Sequence, residues 1–181
     1  NVYNNFIARK PRRIGKITHL RERRNLMDKK IKILFVCHGN ICRSPMAEFV
    51  MRDMIKKCGL DGKIVTASAA TSTEEIGNPV HSGTRRKLRE HGISTDGKYA
   101  VQLTKSDYDK YDYLIGMDSA NIRNMKCITG GDEKIIRLLD LTDEPRDVAD
   151  PWYTGDFDTT YNDVVKGCKV LLEKLEGELN G

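Results

Sequence analysis

The sequence has 181 residues, of which 39% are hydrophobic, and a formal net charge of +5. This length suits one domain with a substantial core, and no apolar run approaches the roughly 20 residues that a membrane-spanning helix needs. The five scattered cysteines fit neither a disulfide scaffold nor a zinc site, which excludes those classes and leads us to expect a reducing, cytoplasmic location.

The basic character of the chain is confined to its first 30 residues. They hold ten lysines and arginines against two acidic residues, whereas residues 31–181 carry a net charge of −3. The segment has no steady apolar period, does not begin with methionine, and contains a plausible natural start at Met27. We expect residues 1–30 to be a solvated or artificially added extension and residues 31–181 to form the domain. Nucleic acid and membranes are therefore not expected partners.

The domain is predicted to open with a strand, a tight loop and a helix. Residues 31–36 form a short, nearly continuous apolar run that is typical of a buried strand. Pro45 suits the first turn of a helix with Ser44 as its cap. Apolar residues then recur at a spacing of four, at Met46, Val50 and Met54, which indicates an amphipathic helix.

The same alternation continues to the end of the chain. Short apolar runs predict strands at residues 64–67, 113–117 and 135–139. Helices are predicted over residues 80–91, 104–111 and 119–125, followed by a final helix with an apolar face from Tyr161 to Leu179. Strands alternating with helices indicate an α/β fold with a parallel sheet covered on both sides. Ligands of such sheets bind beyond the carboxyl ends of the strands.

The loop after the first strand, in VCHGNICRSP, carries the chemistry. Gly39 and Asn40 can adopt left-handed backbone conformations, so the loop can turn its N–H groups toward one point at a helix start and hold an anion. Cys37 faces this cradle beside Arg43, and we expect its thiol to ionise at neutral pH. The Arg43 fork can hold two phosphoryl oxygens. The spacing alone is a weak signal, but with its flanking strand and helix it predicts phosphoryl transfer through a phosphocysteine.

A leaving alkoxide needs a proton donor other than the attacking thiol. Asp150, in the segment DPWYTGDF, is a candidate on a stiffened loop. Trp152 and Tyr153 follow it and could form the wall of a pocket for an aromatic substrate. An Asp-Pro pair is usually only a turn, so the residues by themselves leave this assignment open.

Six segments resemble, in order, those of the low-molecular-weight protein tyrosine phosphatases: VCHGNICRSP, SAATS, EIGNP, HGI, MDSAN and DPWYTGDF. The resemblance covers about residues 31–181. It implies a phosphotyrosine phosphatase I-like fold, a three-layer α/β/α arrangement with a four-stranded parallel sheet. It also implies hydrolysis of phosphotyrosine in proteins, without metal or other cofactor and with inorganic phosphate as a product. A bacterial tyrosine kinase is one partner that it suggests.

By this resemblance Cys37 attacks phosphorus, Arg43 binds the phosphoryl group, and Asp150 protonates the leaving oxygen and then helps to activate water. The implied phosphate-binding residues are His38, Gly39, Asn40, Ile41, Cys42, Arg43 and Ser44. The implied loop-supporting residues are Asn40, Ser44, Ser68 and His91, with Ser44 bonded to the thiolate. Cys42 matches a cysteine that in many members forms a reversible disulfide with the nucleophile. We expect packing roles for Cys58, Cys127 and Cys168.

The substrate pocket is expected to include Ile41, Glu74, Trp152 and Tyr153. Several eukaryotic members have an aromatic ring shortly after the SAATS segment, where this chain has Thr73-Glu74-Glu75, and we expect the charge of Glu74 to disfavour substrates with acidic residues beside the phosphotyrosine. A protein-arginine phosphatase on the same scaffold is an alternative, in which a threonine replaces Ile41. Thiol-coupled arsenate reductase is another, although it needs two further cysteines close together. A phosphate-binding module without catalysis is the third.

Overall fold

The computed structural model describes residues 30–180, so the predictions for the basic segment lie outside the described residues except at Lys30. The described strands are β1 (Ile31–Cys37), β2 (Ile64–Ala70), β3 (Tyr113–Gly116) and β4 (Ile135–Arg137). The described α-helices are α1 (Arg43–Lys57), α2 (Ser82–Glu90), α3 (Asp107–Lys110), α4 (Ser119–Thr129), α5 (Pro151–Thr154) and α6 (Phe157–Asn180). A 3-10 helix, η1, covers Leu138–Leu141. None of these helices has the length and apolar character that a membrane span requires.

The four strands form one parallel sheet in the order β2-β1-β3-β4. The predicted α/β fold with a four-stranded parallel sheet is therefore confirmed. Because the strands run in the same direction, their carboxyl ends meet at one edge of the sheet. Cys37 is the last residue of the inner strand β1 and lies at this edge.

Alternate residues of β1 enter two different cores, one on each face of the sheet. Ile33 and Phe35 pack in the core that contains apolar residues of α1 and α6. Leu34 and Val36 pack on the opposite face, in the core that includes Met125 of α4. Successive strand residues point to opposite faces, so a strand that is buried on both sides needs a continuous apolar run. This arrangement explains the composition of β1.

The start of α1 differs from the prediction. The helix begins at Arg43, and its N-cap residue, Cys42, makes no side-chain cap hydrogen bond. The prediction that Ser44 caps this helix is wrong, because its hydroxyl lies 3.1 Å from Cys37 Sγ. The first N–H groups of a helix have no partner within the helix, and at this position they remain accessible to the loop and to any anion bound there.

The strand ends also differ from the prediction, by one residue in β1 and β3 and by more in β2 and β4. β2 continues through Ser68, Ala69 and Ala70, small residues that sequence patterning does not mark as strand but that pair with the end of β1. β4 ends at Arg137, and the apolar residues after it form η1. The extension of β2 brings Ser68 beneath the loop that follows Cys37.

Candidate active site

The loop of residues 38–42 connects β1 to α1 and wraps around the Cys37 thiol. Asn40 adopts the left-handed backbone conformation, with φ of 57°, and its N–H donates a hydrogen bond to Cys37 Sγ at 3.3 Å. Within the described part of the chain, no residue accepts a hydrogen bond from the N–H groups of Gly39, Ile41 or Cys42. These donors are therefore available to a bound anion.

A buried polar network lies directly beneath this loop. The Asn40 side-chain amide donates to Ser44 Oγ and to Ser68 Oγ, both at 2.8 Å, and its oxygen accepts from the N–H of Val101 at 3.1 Å. Asn40, Ser44 and Ser68 thus lie where the resemblance placed loop-supporting residues. Because each hydrogen of the amide has an acceptor, the orientation of the Asn40 side chain is determined.

Two charged residues that the sequence analysis missed complete the network. Glu48 of α1 accepts a hydrogen bond from Ser68 Oγ at 2.6 Å and also contacts Arg52. Lys98 Nζ lies 3.2 Å from Glu48 Oε2 and donates to the Ser68 carbonyl at 3.0 Å. A buried carboxylate needs such partners to offset its loss of hydration. The sequence signal was a glutamate on an otherwise apolar face of the helix.

His91 is not a member of this network. It follows α2, is exposed, and its ring stacks on the Tyr161 ring with centroids 4.1 Å apart. The prediction that His91 supports the loop is therefore wrong. The basic side chain that does contact Ser68 and Glu48 is Lys98, which lies on the segment after α2 and comes beneath the loop only through the tertiary fold.

Arg43 is buried and is held between two carboxylates. Its Nη1 donates to Asp118 Oδ2 at 2.7 Å, and its Nη2 lies 2.6 Å from Asp150 Oδ2. Burial alone would lower the pKa of the guanidinium, but the charges of Cys37, Asp150 and Asp118 outweigh this effect and raise the pKa. Asp118, in the MDSAN segment, also caps α4 by accepting from the N–H of Asn121. Arg43 is therefore a permanent, oriented positive charge.

The sequence left open whether Asp150 only forms a turn or also belongs to the site. In the structure it does both. It is the N-cap of α5, and its Oδ1 accepts from the N–H of Trp152 at 3.1 Å. Its other carboxylate oxygen contacts Arg43. The Asp-Pro turn thus places the carboxyl at the pocket and holds its orientation.

The pocket at this edge of the sheet brings most of the predicted site residues together. Across its rim, His38 Nε2 lies 3.1 Å from Glu74 Oε2. Trp152 and Tyr153 also line the pocket and are 58% and 85% exposed. Glu75, which the sequence analysis did not single out, also contributes to the wall. The lining residues are Cys37, His38, Gly39, Ile41, Cys42, Arg43, Glu74, Glu75, Asp150, Trp152 and Tyr153.

All five cysteines are free thiols. Burial is the main cause that raises the pKa of the Cys42 thiol to about 12, and the nearby charges of Cys37 and Asp150 contribute to this shift. Cys42 therefore stays protonated at neutral pH although it lines the same pocket as Cys37. Cys58 and Cys127 are exposed, and Cys168 is buried in the core. None of these three lines the pocket.

Comparison with known proteins agrees with this geometry. The sequence model of the family described as low molecular weight phosphotyrosine protein phosphatase matches residues 32–180. The low molecular weight protein-tyrosine-phosphatase YfkJ of Bacillus subtilis is 45% identical over 152 residues, which are 82% of this chain and 97% of YfkJ. A low molecular weight phosphotyrosine protein phosphatase of Gallus gallus is 40% identical over 149 residues, 78% of this chain and 94% of the relative.

Two solved structures extend the comparison to the fold. The crystal structure of YfkJ superposes with a TM-score of 0.81 at 45% identity and covers 83% of this chain and 97% of its own. The crystal structure of SP-PTP, a low molecular weight protein tyrosine phosphatase from Streptococcus pyogenes, has a TM-score of 0.72 at 44% identity, with 80% and 93% covered. This chain belongs to the low molecular weight phosphotyrosine protein phosphatase family.

Proposed function

We propose that this chain hydrolyses phosphotyrosine in proteins through a phosphocysteine intermediate. One observation carries the proposal: the Cys37 thiol, the Arg43 guanidinium and the Asp150 carboxyl line the same pocket, beside N–H donors of the loop. The reaction needs a nucleophile, a group that holds the phosphoryl oxygens and a proton donor, all within reach of one phosphorus atom.

In the first step, Cys37 Sγ attacks phosphorus, and the S–P bond forms as the bond to the tyrosyl oxygen breaks. Asp150 gives its proton to that oxygen, which leaves as a neutral phenol. The loop N–H groups and Arg43 stabilise the charge on the phosphoryl oxygens. Because Asp118 holds Nη1, the phosphoryl group takes the place of the Asp150 carboxylate at Nη2, and the displaced carboxylate takes up from solvent the proton that it gives to the leaving oxygen.

In the second step, water attacks the phosphocysteine. Asp150 accepts a proton from the water, the S–P bond breaks, and inorganic phosphate and the Cys37 thiolate are released. The N–H of Asn40 and the hydroxyl of Ser44 contact the sulfur and stabilise its charge as it leaves. No cofactor enters either step.

The pocket walls support an aromatic ester as the substrate. Ile41 contributes an apolar surface to the pocket lining, and Trp152 contributes an aromatic ring. Proteins phosphorylated on tyrosine are the substrate class that we propose, and autophosphorylated bacterial tyrosine kinases fall within it.

The proposal is tested by the hydrolysis of p-nitrophenyl phosphate and a phosphotyrosine peptide. We expect Cys37→Ser to be inactive, because an un-ionised hydroxyl replaces the thiol. We expect Asp150→Ala to lose about 10²- to 10⁴-fold in kcat/KM on the peptide, the usual contribution of general acid catalysis. Full activity of Cys37→Ser would contradict the mechanism.

The arginine phosphatase alternative is tested in the same assay with a phosphoarginine peptide, using the wild type and Ile41→Thr. Faster wild-type turnover of phosphoarginine than of phosphotyrosine would establish that alternative.

Glu74 provides a second test, of substrate preference. Its carboxylate is exposed at the rim, where it pairs with His38, and we propose that it repels acidic residues that flank the phosphotyrosine. We expect a lower kcat/KM for an acidic phosphopeptide than for a basic one of equal length, and Glu74→Gln should reduce that difference by about threefold at low ionic strength. Equal turnover of the two peptides by the wild type would contradict this role.

A further inference from the structure

The segment of residues 146–150, called here the acid loop, ends at Asp150 and is held by side chains of α6. Ala149 is the residue immediately before Asp150. Its N–H donates to Asp163 Oδ2 at 3.1 Å, and its carbonyl accepts from Thr160 Oγ1 at 2.9 Å. Thr160 and Asp163 are three residues apart and therefore share one face of the helix. Both polar groups of the Ala149 backbone are thus bonded to α6.

Arg146 adds a second connection between the acid loop and Asp163. Its Nη1 donates to Asp163 Oδ2 at 2.7 Å and its Nη2 to Oδ1 at 2.5 Å, a bidentate pair. Asp163 is only 4% exposed, and such a carboxylate is costly to bury unless donors surround it. All its hydrogen-bond donors within the described residues belong to the acid loop. The buried Asp163 carboxylate therefore serves to hold the acid loop in position.

The other residues of the acid loop are attached to different elements. The N–H of Val148 donates to the Met117 carbonyl at 2.9 Å, at the end of β3. Asp147 Oδ1 accepts from both the N–H and the hydroxyl of Ser119 at 3.0 Å. The contacts from α6 are the ones that hold the residue adjacent to Asp150.

We propose that Thr160 and Asp163 are positioning residues for the general acid, because they set the backbone position from which the Asp150 carboxyl reaches the leaving oxygen. This inference rests on the proposed function, in which Asp150 is the acid. Neither residue contacts the pocket, so neither is itself catalytic. A small displacement of a catalytic group can reduce the rate strongly although its chemistry is unchanged.

The test compares two aryl phosphates in kcat/KM, which reports the step in which the P–O bond breaks. p-Nitrophenolate leaves readily without a proton, whereas the phenolate of phenyl phosphate depends on the acid. We expect Thr160→Val and Asp163→Asn to lose about tenfold on phenyl phosphate and less than about threefold on p-nitrophenyl phosphate. Thr160→Ser, which keeps the hydroxyl, should restore the wild-type ratio between the two substrates.

Thr159→Val is the matched control. It removes a hydroxyl from the neighbouring, exposed residue, which bonds to Asp156 Oδ2 and not to the acid loop. Thr160 Oγ1 also lies 3.1 Å from the Asp156 carbonyl, so a general weakening of this helix start would affect both valine variants. We expect the control to keep the wild-type ratio of the two substrates.

A double variant of Thr160→Val with Asp150→Ala distinguishes a failure of this inference from a failure of the proposed function. Once the acid is absent, Thr160→Val should cause no further selective loss on phenyl phosphate. If Asp150→Ala does not itself slow phenyl phosphate selectively, the assignment of Asp150 fails. If Asp150→Ala does so but Thr160→Val slows both substrates equally or neither, only the positioning role is overturned. Should Asp163→Asn fail to fold, the Thr160→Val and Thr160→Ser pair decides the question.

Discussion

A carboxylate and an amide together set the direction of the hydrogen bonds that reach the nucleophile. Glu48 can only accept, so the Ser68 hydroxyl donates to it and accepts from the Asn40 amide. The second hydrogen of that amide goes to Ser44 Oγ, which leaves the Ser44 hydrogen for Cys37 Sγ at 3.1 Å, with the Ala69 carbonyl more distant at 3.5 Å. The direction of the Ser68 bond thus follows from the lack of a hydrogen on Glu48, and that of the Ser44 bond from the Asn40 amide, whose oxygen already accepts from the N–H of Val101.

We therefore expect Glu48→Gln to weaken the support of the thiolate. A glutamine can donate to the Ser68 oxygen and compete there with the Asn40 amide, which orients Ser44, and it no longer attracts Lys98. Alkylation of Cys37 by iodoacetamide at pH 6 should slow by about tenfold, the equivalent of one hydrogen bond to a charged group. Arg52→Gln is the control, because it leaves the bonds of Ser68 and Lys98 to Glu48 in place. Equal rates for wild type and Glu48→Gln would contradict this account.

The long helix α6 depends on one glycine for its close approach to the rest of the domain. A Cβ atom at Gly167 would lie 2.4 Å from Cγ of the buried Leu138 in η1. Gly177, ten residues further along, is exposed, and an added Cβ there would meet no atom within 4 Å. The two glycines of the same helix thus have opposite roles: one is required by packing, and the other only weakens the helix.

This contrast predicts that replacing glycine by alanine has opposite effects on stability at the two positions. Gly167→Ala should lower the free energy of unfolding by about 1–3 kcal/mol, since the core must shift to admit the methyl group. Gly177→Ala should raise it by about 0.5–1 kcal/mol through helix propensity. Urea unfolding of both variants measures the difference. A loss of stability in Gly177→Ala would show that its environment is not open.

At the scale of the whole molecule, folding buries thiols that must remain protonated. Burial raises the pKa of Cys168, and burial with neighbouring charges raises that of Cys42, both from 9.0. A thiol whose pKa is raised binds its proton more tightly in the folded state than in the unfolded chain. The stability that it contributes is therefore complete below the unfolded pKa and is lost as the pH rises from there toward the folded pKa.

We accordingly expect a stability difference between wild type and Cys168→Ala that depends on pH above about 9. In that range, the free energy of unfolding of the wild type should fall more steeply with pH, by up to about 1.4 kcal/mol per pH unit for the one proton involved. Denaturant unfolding at pH 8, 9, 10 and 10.5 gives both slopes. Parallel slopes would mean that Cys168 ionises equally in both states.

Much of this protein could be predicted from its sequence. Periodicity predicts the alternation of strands and helices and the burial of β1 on both faces, and a short spacing marks the loop from Cys37 to Arg43. These signals depend only on residues that are close together in the sequence. Of the residues that the resemblance named, Asn40, Ser44 and Ser68 lie in the network beneath the loop, and Asp150 lines the pocket. The resemblance failed at His91, because a matching motif does not determine which way a side chain points after the helix ends.

Only the tertiary structure decided which residues support the reacting groups. Lys98 lies beneath the loop, Asp118 holds Arg43, and Asp163 holds the acid loop, although the partners in each case are distant along the chain. Such pairs leave no periodic signal, and a single buried charge becomes informative only when its donors are known. The sequence by itself determined the order of strands and helices and the loop from Cys37 to Arg43, because these are local properties, whereas Asp150 followed only from the resemblance. Packing determined the orientation of the reacting groups, since burial obliges each polar group to find a partner wherever the fold brings one.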